Sequence, residues 1–202
     1  MGIFKPSRDS ERREWGTAMG AVFSDLSFRR MSPADLPLVH EWHQREHVRR
    51  WWTEKETYEK VAGYHLPAIE GQEPTQSYLI MLGTRPVGFI QTYLISDYPE
   101  WEKLIHVGPG VAGVDLFIGE RELTGTGLGT EVLRRFAGEI VFAAPSTTAC
   151  VADQDVENQA SIRAFEKAGF RRLGEFLDPD DDRMHFLVRL DRENAVTLSA
   201  SA

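Results

Sequence analysis

Apolar and polar residues alternate in some parts of this chain and recur with a longer period in others. Alternating or continuously apolar runs predict strands, and apolar residues three or four positions apart predict helices. The predicted order is one strand, two helices, three strands, one helix, one strand, one helix and two strands. The predicted strands are LSFRRM (26–31), SYLIML (77–82), PVGFIQTYLI (86–95), GVDLFIG (113–119), STTACVA (146–152), FRRLGEF (170–176) and RMHFLVRL (183–190).

Four segments carry helix signals: a Ser-Pro pair, a threonine and a glutamate at capping-box spacing, a 3.6-residue apolar period, and an asparagine followed later by a terminal glycine. A run of strands followed by strands that alternate with helices predicts a mixed sheet flanked by helices. The four predicted helices start at Ser32 and Pro33, run from Thr53 and Glu56 to about Ile69, follow Gly127 for about four turns, and run from Asn158 to Gly169.

The two ends of the chain lack this periodicity. Residues 1–24 are charged and are predicted to be an N-terminal extension, and residues 193–202 are predicted to be a frayed C-terminal tail. Residues 25–192 between them show neither an internal repeat nor a low-complexity linker. A single domain is therefore predicted for residues 25–192, and 42% hydrophobic residues are enough to form its core.

Composition narrows the possible partners. The formal charge of −8 disfavours nucleic acid, since phosphate binding needs clustered Lys and Arg, and it is compatible with a cationic ligand. No window approaches 18 apolar residues, so neither a membrane span nor a membrane partner is predicted, and a cytoplasmic location is expected. The single cysteine, Cys150, lies in an apolar run and is interpreted as a buried strand residue rather than a nucleophile.

The segment 113-GVDLFIGERELTGTGLGTEVLRRF-136 leads from a strand through a glycine-rich loop into a helix. The first N–H groups of a helix have no internal partners and favour anions, and glycine lets a ligand approach the backbone closely. The loop does not end in Lys-Ser/Thr, as a Walker loop would. The pattern predicts a phosphate-binding turn and leaves the identity of the ligand open.

Together with 158-NQASIRAFEKAGF-170, this segment resembles the GNAT superfamily of acetyl-CoA-dependent N-acetyltransferases, and the resemblance spans residues 26–190. It implies an α+β fold, with a mixed, mostly antiparallel, twisted sheet of about seven strands and about four helices. Acetyl-CoA is the implied cosubstrate. The implied cofactor-binding residues are Phe117 and Ile118 through their main chain, the loop residues Thr124, Gly125, Thr126, Gly127, Leu128, Gly129 and Thr130, and Asn158, Phe165 and Lys167.

A closer resemblance is to aminoglycoside 6'-N-acetyltransferases. It is carried by 42-WHQREHVRRWW-52, 64-YHLPAI-69, 86-PVGFIQTY-93 and 108-GPGVAGVD-115. The resemblance implies that acetyl is transferred directly to a primary amine of an aminoglycoside antibiotic, a cationic small molecule, and that the enzyme confers resistance. The expected assembly is a monomer or a homodimer.

Asp115 is the predicted catalytic residue. Burying a carboxylate in an apolar strand costs free energy unless the group is paired or faces a cleft. The resemblance places Asp115 where the amine meets the thioester. It would then accept a proton from the ammonium or simply orient it, and a purely structural carboxylate capped by backbone amides is the alternative. The residues predicted to bind the substrate are Trp51, Gln91, Tyr93, Trp101, Asp115, Asp153 and Asp181, the last from a run of acids that also contains Asp178, Asp180 and Asp182.

Two further features concern the general acid and a possible metal site. Phe165 stands where many members of the superfamily have a tyrosine that protonates the leaving thiolate, so no general acid is assigned. His40, His43 and His47 have helical spacing, but the chemistry needs no metal, and none is expected. The alternatives are an acyltransferase acting on lysine or hydroxylysine siderophore precursors or on a protein amine, and a non-catalytic acetyl-CoA or drug-binding module.

Overall fold

The computed structural model describes residues 23–52 and 57–199. Seven strands form one sheet. The first residue of each strand lies within three positions of the first residue predicted for it. The chain alternates strands and helices as expected in its second half. The strands are β1 (Leu26–Arg30), β2 (Gln76–Leu82), β3 (Arg85–Leu94), β4 (Val111–Ile118), β5 (Ala149–Asp155), β6 (Arg171–Asp178) and β7 (Arg183–Asp191).

Seven α-helices lie in the described part of the chain, three more than predicted. The additional ones are α2, α4 and α7, each of eight residues or fewer, which is too short for an apolar period to show. The helices are α1 (Leu36–Gln44), α2 (Glu46–Arg49), α3 (Tyr58–Ile69), α4 (Pro99–Ile105), α5 (Leu128–Glu139), α6 (Gln159–Lys167) and α7 (Arg192–Ser199).

Three local predictions need correction. Helix α3 starts at Tyr58, because the Thr57 side chain accepts a hydrogen bond from the Lys60 N–H; the proposed box at Thr53 and Glu56 lies outside the described residues. The segment expected to be a frayed tail contains helix α7, whose Ala195 is buried. Strand β5 begins three residues later than predicted, at Ala149.

The strand order is β1-β2-β3-β4-β5-β7-β6. All neighbours are antiparallel except β4 and β5, which are parallel. The mixed, mostly antiparallel sheet is therefore confirmed. The parallel pair lies in the middle of the sheet, where it is covered on both sides, as parallel strands usually are.

The two faces of the sheet are covered differently. On one face, helices α5, α6 and α7 pack on the strands in a single continuous core that includes Val132, Phe136 and Val188. On the other face, α1, α2 and α3 form one cluster around Trp42 and Phe89, and the segment around α4 forms a second one. Polar residues of β3, β4, β5 and β7 lie beside these two clusters, among them Gln91, Asp115, Asp153 and His185.

Candidate active site

Strands β4 and β5 separate in the middle of the sheet. They pair only at Val111, Ala112 and Gly113, although β4 continues to Ile118 and β5 to Asp155. Each strand is hydrogen-bonded to its outer neighbour along the separated part, so the inner edges face a wedge-shaped gap. In open sheets, ligands bind beyond the carboxyl ends of parallel strands, and this gap lies at that end.

The glycine-rich loop lies next to this gap and leads into α5. Gly125 and Gly127 have φ values of 74° and 95°, a region that favours glycine, and Gly127 is the N-cap residue of α5. The hydroxyl groups of Thr124 and Thr126 donate to the carbonyls of Arg121 and Leu123, at 2.7 and 2.8 Å. These bonds turn the threonine side chains back onto the loop, and a Cβ at Gly125 would meet no atom within 4 Å. The loop is thus open to a phosphate group at the start of a helix.

The first turn of α5 faces the protein interior. Leu128 is fully buried, Gly129 lies against the Ala164 side chain, and the Thr130 hydroxyl donates to the Ala164 carbonyl. The side chains of Leu128 and Thr130 are therefore turned toward the core and α6. Any contact between these residues and a phosphate group has to be made by main-chain N–H groups.

Helix α6 closes the other side of the gap. The Asn158 side chain caps the helix by accepting from the Ser161 N–H at 3.2 Å. Phe165 is 3% exposed and packs edge-on against Phe170, so its ring belongs to the core and presents no polar group to the gap. Lys167 is exposed at the last turn, where its carbonyl accepts from Arg134. Roles of these residues in cofactor binding stay predictions.

The end of β4 is held in place from the opposite sheet face. Phe117 is buried among aromatic rings, including those of Trp52 and Phe89. The Ile118 carbonyl contacts the His47 ring Nε2 at 3.0 Å, and Arg45 donates to the Gly119 carbonyl at 2.8 Å. These contacts fix the backbone that the resemblance assigns to the pantetheine arm.

Asp115 lies on β4 where the strands begin to separate, directly opposite Gln91 on β3. The Gln91 side chain, only 3% exposed, donates from Nε2 to Asp115 Oδ2 at 2.8 Å and to the Tyr64 hydroxyl oxygen at 2.9 Å. Tyr93 supplies a second hydrogen bond to the same carboxylate. Within residues 23–52 and 57–199, Asp115 is in no ion pair.

These surroundings make Asp115 a weaker acid than usual. Burial and the negative charge of Asp153 raise the pKa of Asp115 to about 7, although hydrogen bonds from Gln91 and Tyr93 act in the opposite direction. Near neutral pH the side chain therefore exists in both protonation states. A carboxylate with such a pKa can accept a proton from a substrate and release it again.

The Tyr93 ring packs directly against the backbone of Gly113, which has no side chain. Gly113, its cross-strand neighbour on β4, would carry a Cβ only 2.6 Å from ring atoms Cε2 and Cζ and 2.9 Å from the hydroxyl oxygen. Gly113 therefore makes room for the ring, and the hydroxyl can reach Asp115 two residues farther along the same strand face.

Replacing Gly113 by Ala is expected to lower the free energy of unfolding by about 1–3 kcal/mol, the usual range for overpacking a core. It should also slow catalysis by moving the Tyr93 hydroxyl away from Asp115. Urea denaturation and steady-state assays measure the two effects. Gly174→Ala on β6 is the matched control, since its Cβ would meet no atom within 4 Å. Equal losses in both variants would contradict the proposed positioning of Tyr93.

Further acids line the same face on the other side of the gap. His185 on β7 contacts Asp153 Oδ2 through Nδ1 at 2.7 Å and Asp181 Oδ2 through Nε2 at 3.1 Å. Asp178 Oδ2 lies 3.7 Å from the same Nδ1. Burial lowers the pKa of His185, but hydrogen bonds and charges of Asp153 and Asp181 outweigh burial and raise the pKa to about 9. A protonated His185 thus holds the predicted substrate-binding acids Asp153 and Asp181 together.

Aromatic residues flank the row of acids. Trp51 follows α2, and the guanidinium groups of Arg50 and Arg183 lie 4.7 and 6.0 Å from its ring. Trp101 on α4 packs edge-on against Phe176 of β6. Trp51 thus approaches the β6–β7 hairpin from the N-terminal helices, whereas Trp101 packs as part of the cluster around α4.

The sequence analysis did not identify Tyr64, Asp155, Arg183 or His185 as site residues. Arg183 and His185 are two positions apart on β7 and so share a strand face, which the alternation of RMHFLVRL indicates. Their role became visible only in the structure, because β7 lies between β6 and β5 and so brings Arg183 and His185 next to the acids of β5.

Comparisons with known proteins agree with this geometry. The profile of the acetyltransferase (GNAT) domain matches residues 32–177. The chain belongs to the GNAT acetyltransferases. The aminoglycoside N(6')-acetyltransferase type 1 of Klebsiella pneumoniae is 32% identical over 167 residues, which cover 80% of this chain and 82% of that protein. The N(6)-hydroxylysine O-acetyltransferase of Escherichia coli is 25% identical over 82% of this chain and 54% of that protein.

Solved structures give the same result. Aminoglycoside acetyltransferase AAC(6')-Ib in complex with coenzyme A superposes with a TM-score of 0.77 at 31% identity, covering 85% of this chain and 98% of that one. Its complex with coenzyme A and kanamycin gives 0.76 at 31% identity, with the same coverage. The GNAT fold predicted from the sequence is confirmed. No helix among the described residues is long and apolar enough to cross a membrane.

As a GNAT acetyltransferase, the protein uses acetyl-CoA as its cosubstrate. The site fits this cosubstrate at two places. The gap between β4 and β5 leaves strand edges free for an extended amide-containing arm, and the loop around Gly125 and Gly127 leaves space for a diphosphate at the start of α5.

Proposed function

We propose that this protein transfers the acetyl group of acetyl-CoA to the 6'-amine of an aminoglycoside, and that it thereby confers resistance. The observation that carries this proposal is the position of Asp115, which lies at the gap between β4 and β5 without a cationic partner in the described part of the chain. A carboxylate of this kind suits an incoming ammonium group. The relatives named above provide independent support.

Asp115 accepts a proton from the bound ammonium group, directly or through one water molecule, and so generates the free amine. Acetyl-CoA supplies an acetyl group that is activated as a thioester. A main-chain N–H of Phe117 or Ile118 donates to the oxygen on which negative charge develops. The amine nitrogen forms the new C–N bond as the C–S bond breaks. The acylated nitrogen then loses its remaining excess proton to solvent, the CoA thiolate takes a proton from solvent, and Asp115 releases its proton to solvent before the next turnover.

Direct transfer fits the side chains present. Cys150 is fully buried, and burial raises the pKa of its thiol far above the usual range, so it cannot serve as an acyl carrier. Phe165 cannot donate a proton. A thiol is acidic enough for its thiolate to leave near neutral pH without a dedicated acid.

The acceptor is a polycation. Asp115, Asp153, Asp178 and Asp181 lie on or beside one face of the sheet, and His185 offsets only part of their charge. Aminoglycosides carry several ammonium groups on linked rings, and several carboxylates can bind them at once. Trp51, Tyr64 and Tyr93 supply ring surfaces and hydroxyl groups at the edge of this region.

The test is to measure release of free CoA with neomycin and paromomycin, which differ by an amine or a hydroxyl at the 6' position. Release with neomycin and none with paromomycin is expected, and NMR of the product should show acetylation at the 6' nitrogen. Kanamycin, tobramycin, N-hydroxylysine and a basic peptide complete the panel. Release only with N-hydroxylysine or the peptide would overturn the proposal in favour of another acyltransferase. CoA binding without release for any acceptor would indicate a non-catalytic binding module.

A further inference from the structure

Besides the protonated His185, an arginine side chain of this protein lies among the acids proposed to bind the acceptor. Arg183, the first residue of β7, donates from Nη1 to Asp155 Oδ2. Asp155 is 8% exposed, and its other oxygen accepts from the Glu157 N–H at 2.7 Å. The Asp155 carboxylate thus has a fixed orientation, with one oxygen directed at the guanidinium group.

This pair belongs to the same cluster as the other acids. One carboxylate oxygen of Asp155, one of Asp181 and one ring nitrogen of His185 lie within 4.8 Å of one another. The Arg183 side chain is 41% exposed, so its guanidinium group is accessible beside the cluster. Its guanidinium carbon also lies over the Trp51 ring, 6.0 Å from the ring centroid.

A cation between a buried carboxylate and the face of an indole ring is in a favourable electrostatic environment. An ammonium group on an amino sugar would be stabilised by the same two partners. Arg183 therefore occupies a position that has the chemistry of a cationic subsite.

We propose that Arg183 is a specificity-determining residue that fills the subsite formed by Asp155 and Trp51 with a cation of the protein itself. This inference rests on the proposed function, because it assumes that the acceptor binds along the acidic row. By holding Asp155, Arg183 lowers the number of carboxylates available to the acceptor. The enzyme then binds the acceptor through Asp115, Asp153, Asp178 and Asp181 and leaves one further ammonium position unused.

The test is Arg183→Gln, which removes the charge and keeps a polar side chain. We expect KM for kanamycin, and its equilibrium Kd measured by calorimetry, to fall about fivefold at low salt with kcat unchanged, because Asp155 becomes available. The gain should shrink as salt is added, since the new contact is electrostatic. Arg183→Lys keeps the cation and should remain within about twofold of the wild type.

A double-mutant cycle separates this effect from general loosening of the site. In the Asp155→Asn background, Arg183→Gln should no longer tighten binding. Arg171→Gln, which removes an exposed arginine paired with Asp191 at the other end of β6, controls for net charge and should leave KM unchanged. Unchanged or raised Kd in Arg183→Gln, or equal tightening without Asp155, would overturn the inference.

Failure of this inference can be distinguished from failure of the proposed function. If the wild type binds kanamycin but transfers no acetyl group, the proposed function fails, and Asp155-dependent tightening in Arg183→Gln would still support this inference. If the wild type neither acetylates nor binds kanamycin, both are overturned. Acetylation by the wild type together with an Arg183→Gln variant that binds no more tightly overturns this inference alone.

Discussion

Replacing Asp115 by Asn is expected to lower kcat for acetyl transfer by about a hundredfold, while the Kd for CoA stays unchanged. The amide has nearly the same shape and can keep a hydrogen bond with Gln91, but it cannot accept a proton from the ammonium group. Steady-state kinetics with kanamycin and a separate calorimetric titration with CoA measure the two quantities. Turnover within twofold of the wild type would remove Asp115 from the mechanism.

The same residue predicts a pH dependence. The carboxylate form of Asp115 is the active one, and its pKa is raised to about 7. The wild-type kcat/KM should therefore fall as the pH drops below about 7, because the proton that Asp115 must accept is already present. Deprotonation of the acceptor amine adds its own dependence at higher pH in both proteins. The decline around pH 7 should be absent from the residual activity of Asp115→Asn, and a decline of equal size there would assign it to another group.

Replacing Gly127 by Ala is expected to raise the Kd for acetyl-CoA about tenfold. At φ 95° an L-residue is strained by about 1–2 kcal/mol, which the loop can relieve only by moving the N–H groups that begin α5. S-acetylpantetheine, which lacks the diphosphate, should bind equally well to the variant and the wild type. Calorimetry or competition binding with both compounds measures the difference.

The control for this change is Gly138→Ala, in the last turn of the same helix. Gly138 is exposed and has no positive φ, so alanine fits its helical conformation. Its Kd for acetyl-CoA should match that of the wild type. If Gly127→Ala weakened S-acetylpantetheine and acetyl-CoA to the same extent, the loop would not act as a diphosphate site.

The regular elements of this fold were largely predictable. All seven strands and the four longest helices follow from local alternation and period, since each apolar stripe is a property of a short segment. The short helices α2 and α4 were missed because four or seven residues are too few to establish a period. Helix α7 was missed because its composition resembles that of a solvent-exposed tail.

The candidate site was predictable in part. Asp115 could be identified because burying an unpaired carboxylate in an apolar strand costs free energy, and the glycine loop could be identified by its composition. The ring of Phe165 is buried against Phe170, which the character of one helical residue does not reveal, and its role in cofactor binding stays a prediction. The cofactor and substrate contacts themselves stay predictions.

The type and order of the elements, the glycine loop before α5 and the carboxylate in the apolar run of β4 could all be predicted from the amino-acid sequence. These depend on neighbours a few positions away. The contacts of each polar residue depend on the fold, because strand order brings together residues far apart in the chain. Asp115 receives one of its hydrogen bonds from Gln91, 24 positions away, and Asp153 contacts His185 at a separation of 32. The gap between β4 and β5 likewise exists only once the sheet has formed.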